Sequence, residues 1–186
     1  MYIKTVVGVI LVRKSDGPPR WVQWRHHAEG ITHCAICLKL ALCYFTEENH
    51  PPCPHHPHCH CTLEPIEYAL VLLNAVAKSD YRKFDPYLFN TDGLRTHNKE
   101  KLFLEWGYTV ADAPWLQAEI ERQGQEKYIL GDYQLGKLND KGQRISIRIT
   151  IERKDDEHYG DSVSFITGWM VYPNGTIQLA TPYGGK

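Results

Sequence analysis

The sequence predicts an α+β protein, with an N-terminal zinc-binding module followed by two or three helices and a four-stranded antiparallel sheet. Three observations lead there. All six cysteines and eight of the ten histidines lie between Arg25 and Thr62, a stretch too poor in apolar residues to fold around a core of its own. Apolar residues then recur at helical spacing as far as Gly124, and beyond it the period drops to two. The 186 residues divide accordingly into a module over 1–64 and an α+β domain over 65–186.

The elements follow in order. Tyr2 to Arg13 is rich in β-branched residues and reads as one strand, ended by the turn signal Ser15-Asp16-Gly17-Pro18-Pro19; Trp21 to Trp24 is a second, short one. After the Cys/His-rich stretch, Pro65 suits the first turn of a helix whose Ile66, Ala69, Leu70, Leu73 and Ala77 share a face, ending near Lys78-Ser79-Asp80. Asn98 to Trp106 is a second helix, with Leu102, Phe103 and Trp106 on one side and Gly107 just past its end. Asp112 can cap a third, which tolerates Pro114 in its first turn and carries Leu116 and Ile120 before Gly124. Strands are predicted at Glu126 to Leu135, Arg144 to Arg153, Ser162 to Tyr172 and Thr176 to Thr181. In the clearest of them Ile145, Ile147, Ile149 and Ile151 point one way and Arg144, Ser146, Arg148 and Thr150 the other. Asn139-Asp140-Lys141-Gly142 and Pro173-Asn174-Gly175 are turn signals that make these strands a meander.

A formal net charge of -1 denies the chain a global pull toward nucleic acid or an anionic membrane, so any polyanion site must be built locally. Val6 to Val12 is too short to span a bilayer, and Arg13 and Lys14 lie on the wrong side of it for a signal peptide. A cytoplasmic protein without a membrane partner is therefore expected, and its thiols stay reduced there. Metal ligation then explains the cysteines better than disulfides do. Cys34 and Cys37 hold the two-residue gap from which both sulfurs reach one tetrahedral ion, and His56 to Cys61 supplies a distal pair about twenty residues on. The preferred ligands of a structural zinc are Cys34, Cys37, His56 and Cys59, with Cys61 as the substitute; Cys43, Cys53, His55, His58 and His60 are in surplus.

Two resemblances extend this reading. Trp24, Cys34 and Cys37, then His56-Pro57, Cys59, Cys61-Thr62 and Pro65, resemble the cysteine-rich end of the Mu-type phage head morphogenesis, or minor capsid, family, with His60 where an arginine is usual. Lys99-Glu100-Lys101-Leu102-Phe103, Trp106-Gly107-Tyr108, Thr167-Gly168-Trp169 and Leu179-Ala180-Thr181-Pro182-Tyr183 resemble an uncharacterised family of small domains in phage proteins and polymorphic toxins. Helices followed by four antiparallel strands are similar in architecture to the barnase, EndoU, colicin and RelE group of metal-independent ribonucleases, a likeness of fold that does not fix function.

The ribonuclease likeness implies attack of an RNA 2′-hydroxyl on the adjacent phosphate, served by a base, an acid and cationic stabilisation. His97 is the candidate for proton transfer, Lys99 matches the family's lysine, Arg148 can neutralise phosphate, and Thr167 and Thr181 can donate hydrogen bonds. Each has a plainer alternative: His97 as a helix cap, Lys99 and Lys101 as an exposed helix face, Arg144 and Arg148 as solvation of the outer sheet face. Three functions fit: a nuclease toxin or effector acting on RNA, a zinc-stabilised phage structural or adaptor protein, and an inhibitor that binds a phage or host protein. Convergence of His97, Lys99, Arg148 and Thr181 in one cleft distinguishes the first from the others.

Overall fold

Residues 3–5, 8–10, 17–26, 33–94 and 96–185 are described by a computed structural model of the chain. The predicted first strand is instead a small antiparallel hairpin, β1 (Ile3–Thr5) with β2 (Gly8–Ile10), Thr5 opposite Gly8. The rest of that prediction lies outside the described residues. Trp21–Arg25 forms β3, as the sequence suggests, and becomes the centre of a three-stranded antiparallel sheet with β4 (Tyr44–Thr46) and β5 (Thr62–Ile66) at its edges. The short helix α1 (Ala35–Leu40) bridges β3 to β4 and buries Cys37 and Leu40.

The helix expected from Pro65 to Lys78 is broken into three. Pro65 lies in β5 opposite Val22, an edge position where its missing N–H costs no ladder bond. Helix α2 covers Tyr68–Asn74 only, with Val71 buried and Leu70 and Leu73 exposed, so the buried side is not the one the spacing suggested. Val76–Lys78 then forms β6. Helix α3 (Lys99–Glu105) matches its prediction closely, whereas α4 (Ala113–Ile129) runs straight through Gly124 and replaces the start of the next predicted strand.

Strands β7 (Gln134–Asn139), β8 (Gly142–Glu152), β9 (Ser162–Val171) and β10 (Thr176–Gly185) make the antiparallel meander. β6 pairs parallel with β10, Val76 opposite Thr176, which makes the sheet five-stranded in the order β6-β10-β9-β8-β7. Ile145, Ile147, Ile149 and Ile151 are all buried with Phe165 and Trp169 of β9, and Leu116, Ile120 and Tyr128 of α4 belong to the same core. The architecture is thus α+β, with α4 laid across one sheet face.

Gly124 explains why α4 does not stop. A Cβ there would stand 2.6 Å from Cζ2 of Trp169, so glycine is kept for close approach of helix to sheet rather than for a cap. Gly124→Ala should destabilise the protein by about 1–3 kcal/mol through overpacking, although alanine is the better helix former by up to about 1 kcal/mol. Denaturant titration reads the sign, and a stabilised variant would contradict this packing.

The small sheet is stitched to the large domain. Tyr128 Oη donates to Tyr44 O at 2.6 Å and packs edge-on against Trp21; burial holds its phenol well above the usual range. Tyr133 Oη accepts from Thr46 N at 2.9 Å and donates to Asn49 O at 2.8 Å. The sequence-derived boundary at 64/65 falls inside β5, and buried residues from both sides of it join one core. Among the described residues no helix is long and apolar enough to cross a membrane.

Candidate functional site

The first cluster is the one the cysteine spacing pointed to. Cys34 caps α1, its sulfur accepting the Cys37 N–H at 3.4 Å, so the first helical turn turns both sulfurs toward a common point. Cys37 Sγ lies 3.9 Å from His56 Nε2 and 3.5 Å from Cys59 Sγ. Donors on a tetrahedral ion with bonds of about 2.0–2.3 Å are roughly 3.3–3.8 Å apart, and these separations fit. The ligand atoms of Cys34, Cys37 and His56 are mutually within 4.8 Å, as are those of Cys37, Cys59 and Cys61. The five predicted ligands therefore gather round Cys37.

Protonation sorts the six thiols. Hydrogen bonding from the Cys37 backbone brings Cys34 below the usual thiol range. At Cys59 burial pulls upward, but backbone hydrogen bonds at His55 and Cys61 and the neighbouring thiols outweigh it and bring the group down. Burial raises Cys37 and Cys61, as expected of sulfurs packed together and deprotonated only on taking up a cation. Cys43 is pushed up to about 12 by burial and its thiol donates to Lys39 O. Cys53 is pushed up to about 11, again chiefly by burial, and donates to Cys61 O. Those two are structural thiols, in keeping with their surplus in the sequence.

The second cluster surrounds a β-bulge. The pairing of β10 with β9 shifts between Leu179 and Thr181, and such a shift re-aims the side chains beside it. Lys99 Nζ, reaching from the first turn of α3, donates to Thr181 Oγ1 at 3.3 Å and to Tyr87 Oη at 3.2 Å. Lys83 Nζ donates to the carbonyl of Ala180 at 2.9 Å. Arg144 lies over Gly168, where a Cβ would stand 2.5 Å from its Nη2 and 3.0 Å from Thr181 Cγ2. Among the described residues, none of Lys83, Lys99, Arg144 and Arg148 has a carboxylate within ion-pair distance. Three of these four cations thus point at one bulge.

The five predicted catalytic residues fare differently. Lys99 and Thr181 are in direct contact. His97 stands beside them, its ring 4.8 Å from that of Tyr87, but both its nitrogens serve the main chain. Nε2 donates to Tyr87 O at 3.0 Å, and Nδ1 accepts the Lys99 N–H at 3.1 Å. It does the capping that Asn98, left-handed at φ 54°, does not do with its own side chain. Arg148 is exposed on the same face of β8 as Arg144, opposite Ile166, and touches none of the cluster. Thr167 is a correction: it is fully buried on the α4 side of the sheet, donating to Ile147 O and accepting from Trp169 Nε1. It shares strand parity with Trp169, so alternation along β9 already excludes it from the face that Arg148 occupies. Lys83 and Tyr87 went unnoticed because they lie in the polar connection after β6, where no period marks them.

A groove of about 510 Å³ opens elsewhere, between α4 and the far end of β8, lined by Tyr108, Trp115, Glu119, Arg122 and Tyr159 among others. Its cations are already paired, Arg122 to Glu119 and Glu126, Arg153 to Asp155, and Lys154 to Asp112. None of the sequence-predicted site residues lines it.

Residues 73–186 match the model of a family described as a domain of unknown function, DUF6883. No curated protein and no solved structure matches the chain.

Proposed function

The chain belongs to the DUF6883 family, and for this member we propose a zinc-braced protein whose C-terminal domain binds RNA and cuts it without a catalytic metal. One observation carries the proposal. Lys83, Lys99 and Arg144, which have no acidic partner among the described residues, converge on the Ala180–Thr181 bulge beside two hydroxyls, a local cationic cluster in a chain whose net charge is only -1. The whole cluster lies inside the stretch that matches the family model.

A phosphodiester matches that cluster in charge. Lys99 and Arg144 would neutralise the phosphate as negative charge grows during attack by the 2′-hydroxyl, the contribution that matters most where preorganised cations meet a developing anion. Tyr87 would hydrogen-bond its oxygens, as would Thr181 on giving up its bond to Tyr183 O, and Tyr87, beside Lys99 Nζ, is the side chain placed for proton transfer. At the other cluster, three sulfurs and one imidazole nitrogen form a closed donor set suited to zinc. Cys34, Cys37, His56 and Cys59 would hold the ion, and its role would be to order the 50–61 segment. The motif resemblances support reading such a ribonuclease as a phage-borne or toxin-like effector acting in the cytoplasm.

A second reading is favoured by His97, whose nitrogens are both occupied by the main chain. Without that shuttle the same pocket would hold phosphate and not cleave, as an adaptor does. The test uses end-labelled RNA in buffer free of added divalent ions, beside the same oligonucleotide with 2′-deoxy sugars. The expected result is binding of both and cutting of the RNA alone, with 2′,3′-cyclic phosphate ends. Binding without cutting supports the adaptor; failure to bind either removes the pocket reading.

A further inference from the structure

Five donors gather round Cys37 where a tetrahedral ion takes four. The sulfur left over belongs to Cys61, and it has other neighbours. Its Sγ and the ligand nitrogens of His26 and His33 are mutually within 4.8 Å, and the same sulfur is also within 4.8 Å of the sulfurs of Cys37 and Cys59. Cys61 is buried, 5% exposed, between the two groups. His26 and His33 are only half-buried, so an ion would enter on their side.

The histidines are arranged as ligands are. His26 Nε2 lies 2.6 Å from the carbonyl of Cys37. A carbonyl only accepts, so Nε2 carries the hydrogen and Nδ1 keeps the lone pair. Holding the distal N–H of an imidazole on a backbone carbonyl is how metal-bound histidines are commonly fixed in tautomer and orientation. Here that carbonyl belongs to Cys37, a ligand of the first cluster, so ordering one cluster orders the other. The His33 ring stacks on His26 at 4.1 Å and 14°, and His60, exposed, lies near enough to influence His33 electrostatically.

We propose that His26, His33 and Cys61 form a second zinc site, beside the ion whose four donors are Cys34, Cys37, His56 and Cys59. On binding, the Cys61 thiol releases its proton to solvent and its sulfur gives a lone pair to the second ion. The fourth position of the second ion faces solvent beside His60. The site lies outside the stretch matched to the family and is independent of any activity at the Thr181 bulge.

Zinc is the probe. Protein saturated with zinc and desalted is weighed by native mass spectrometry, and its zinc is released stepwise to a chromophoric chelator. About two ions per chain are expected, the outer one leaving first. His33→Ala should hold about one. Cys61→Ser should also hold about one, because its four neighbours still close the inner site. A wild type that binds one ion, or a His33→Ala variant that still binds two, overturns the second site. If Cys61→Ser still binds two, Cys61 is not a ligand of the outer ion and the site as proposed is overturned. A wild type that binds none overturns both metal centres, which separates failure of this inference from failure of the inner site. Circular dichroism of each variant confirms that the sheet is intact when the ions are counted.

Discussion

Cys37→Ser should abolish stable metal binding and release the 50–61 segment and α1 from the rest of the protein. Cys37 is the sulfur about which all the other candidate ligands gather, and it is 1% exposed. A lost ligand therefore costs more than the ten- to hundredfold in affinity typical of a lost outer partner. The binding energy of a structural zinc, about 10–16 kcal/mol in isolated fingers, is also folding energy. Residues 50–61 have little else to order them, since of that stretch only Pro51 and Cys61 are buried. In hydrogen exchange, amides of α1 and 50–61 should lose protection, and chelation of the wild type should reproduce the pattern. β8 and β9 should keep theirs, because the stitching through Tyr128 and Tyr133 uses β4 and Asn49 and no metal ligand. Unchanged protection in the variant would show that the cluster holds no structural ion.

The second large effect is expected at Lys99. Lys99→Ala should lower RNA cleavage by about a hundred- to a thousandfold, the scale of losing one preorganised donor to a developing anion. Thermal stability should change little, because Lys99 is only half-buried and makes no ion pair among the described residues. Lys99→Arg keeps the charge but not its point geometry, and should recover binding better than turnover. Gly168→Val gives an independent check, since its Cβ would meet Arg144 Nη2 at 2.5 Å and push the guanidinium aside without removing any charge. For the two variants that lose or displace a cation, Lys99→Ala and Gly168→Val, the salt dependence of RNA affinity should fall by about 0.7 in log–log slope. An unchanged slope would place the RNA elsewhere on the surface.

How much of this the sequence disclosed depends on how local each cause is. The four isoleucines of β8 alternate because one face is core, and all four are buried. The C-x-x-C pair and the distal ligands met as their spacing implied, since a helical turn and one metal radius are short-range geometry. His26 and His33 carried no such mark, because they join the cluster through folding of β3 and not through spacing. The broken helix after Pro65 failed for a related reason. Ile66 and Val76 are claimed by strands whose partners, Trp21 and Thr176, are distant in sequence, and tertiary pairing overrides a weak helical period. Gly124 reads as a stop until Trp169 is seen across from it. Parity with Trp169 already seals Thr167 beneath α4, whereas Thr181 shares parity with the buried Leu179 and only the bulge at Ala180 turns it toward Lys99.

The bulge also governs when the cationic pocket can exist. Lys83 and Ala180 are 97 positions apart and Lys99 and Thr181 are 82 apart, and β10 follows every other strand of its sheet in chain order. A chain emerging from the ribosome at about 5–20 residues per second can build α3, α4 and the β7–β9 meander before β10 has been made. Such long-range pairings are also intrinsically slow to close. The nascent protein therefore carries its lysines well before they can meet at the Thr181 bulge, and the proposed cutting of RNA would begin only once the last strand is in place.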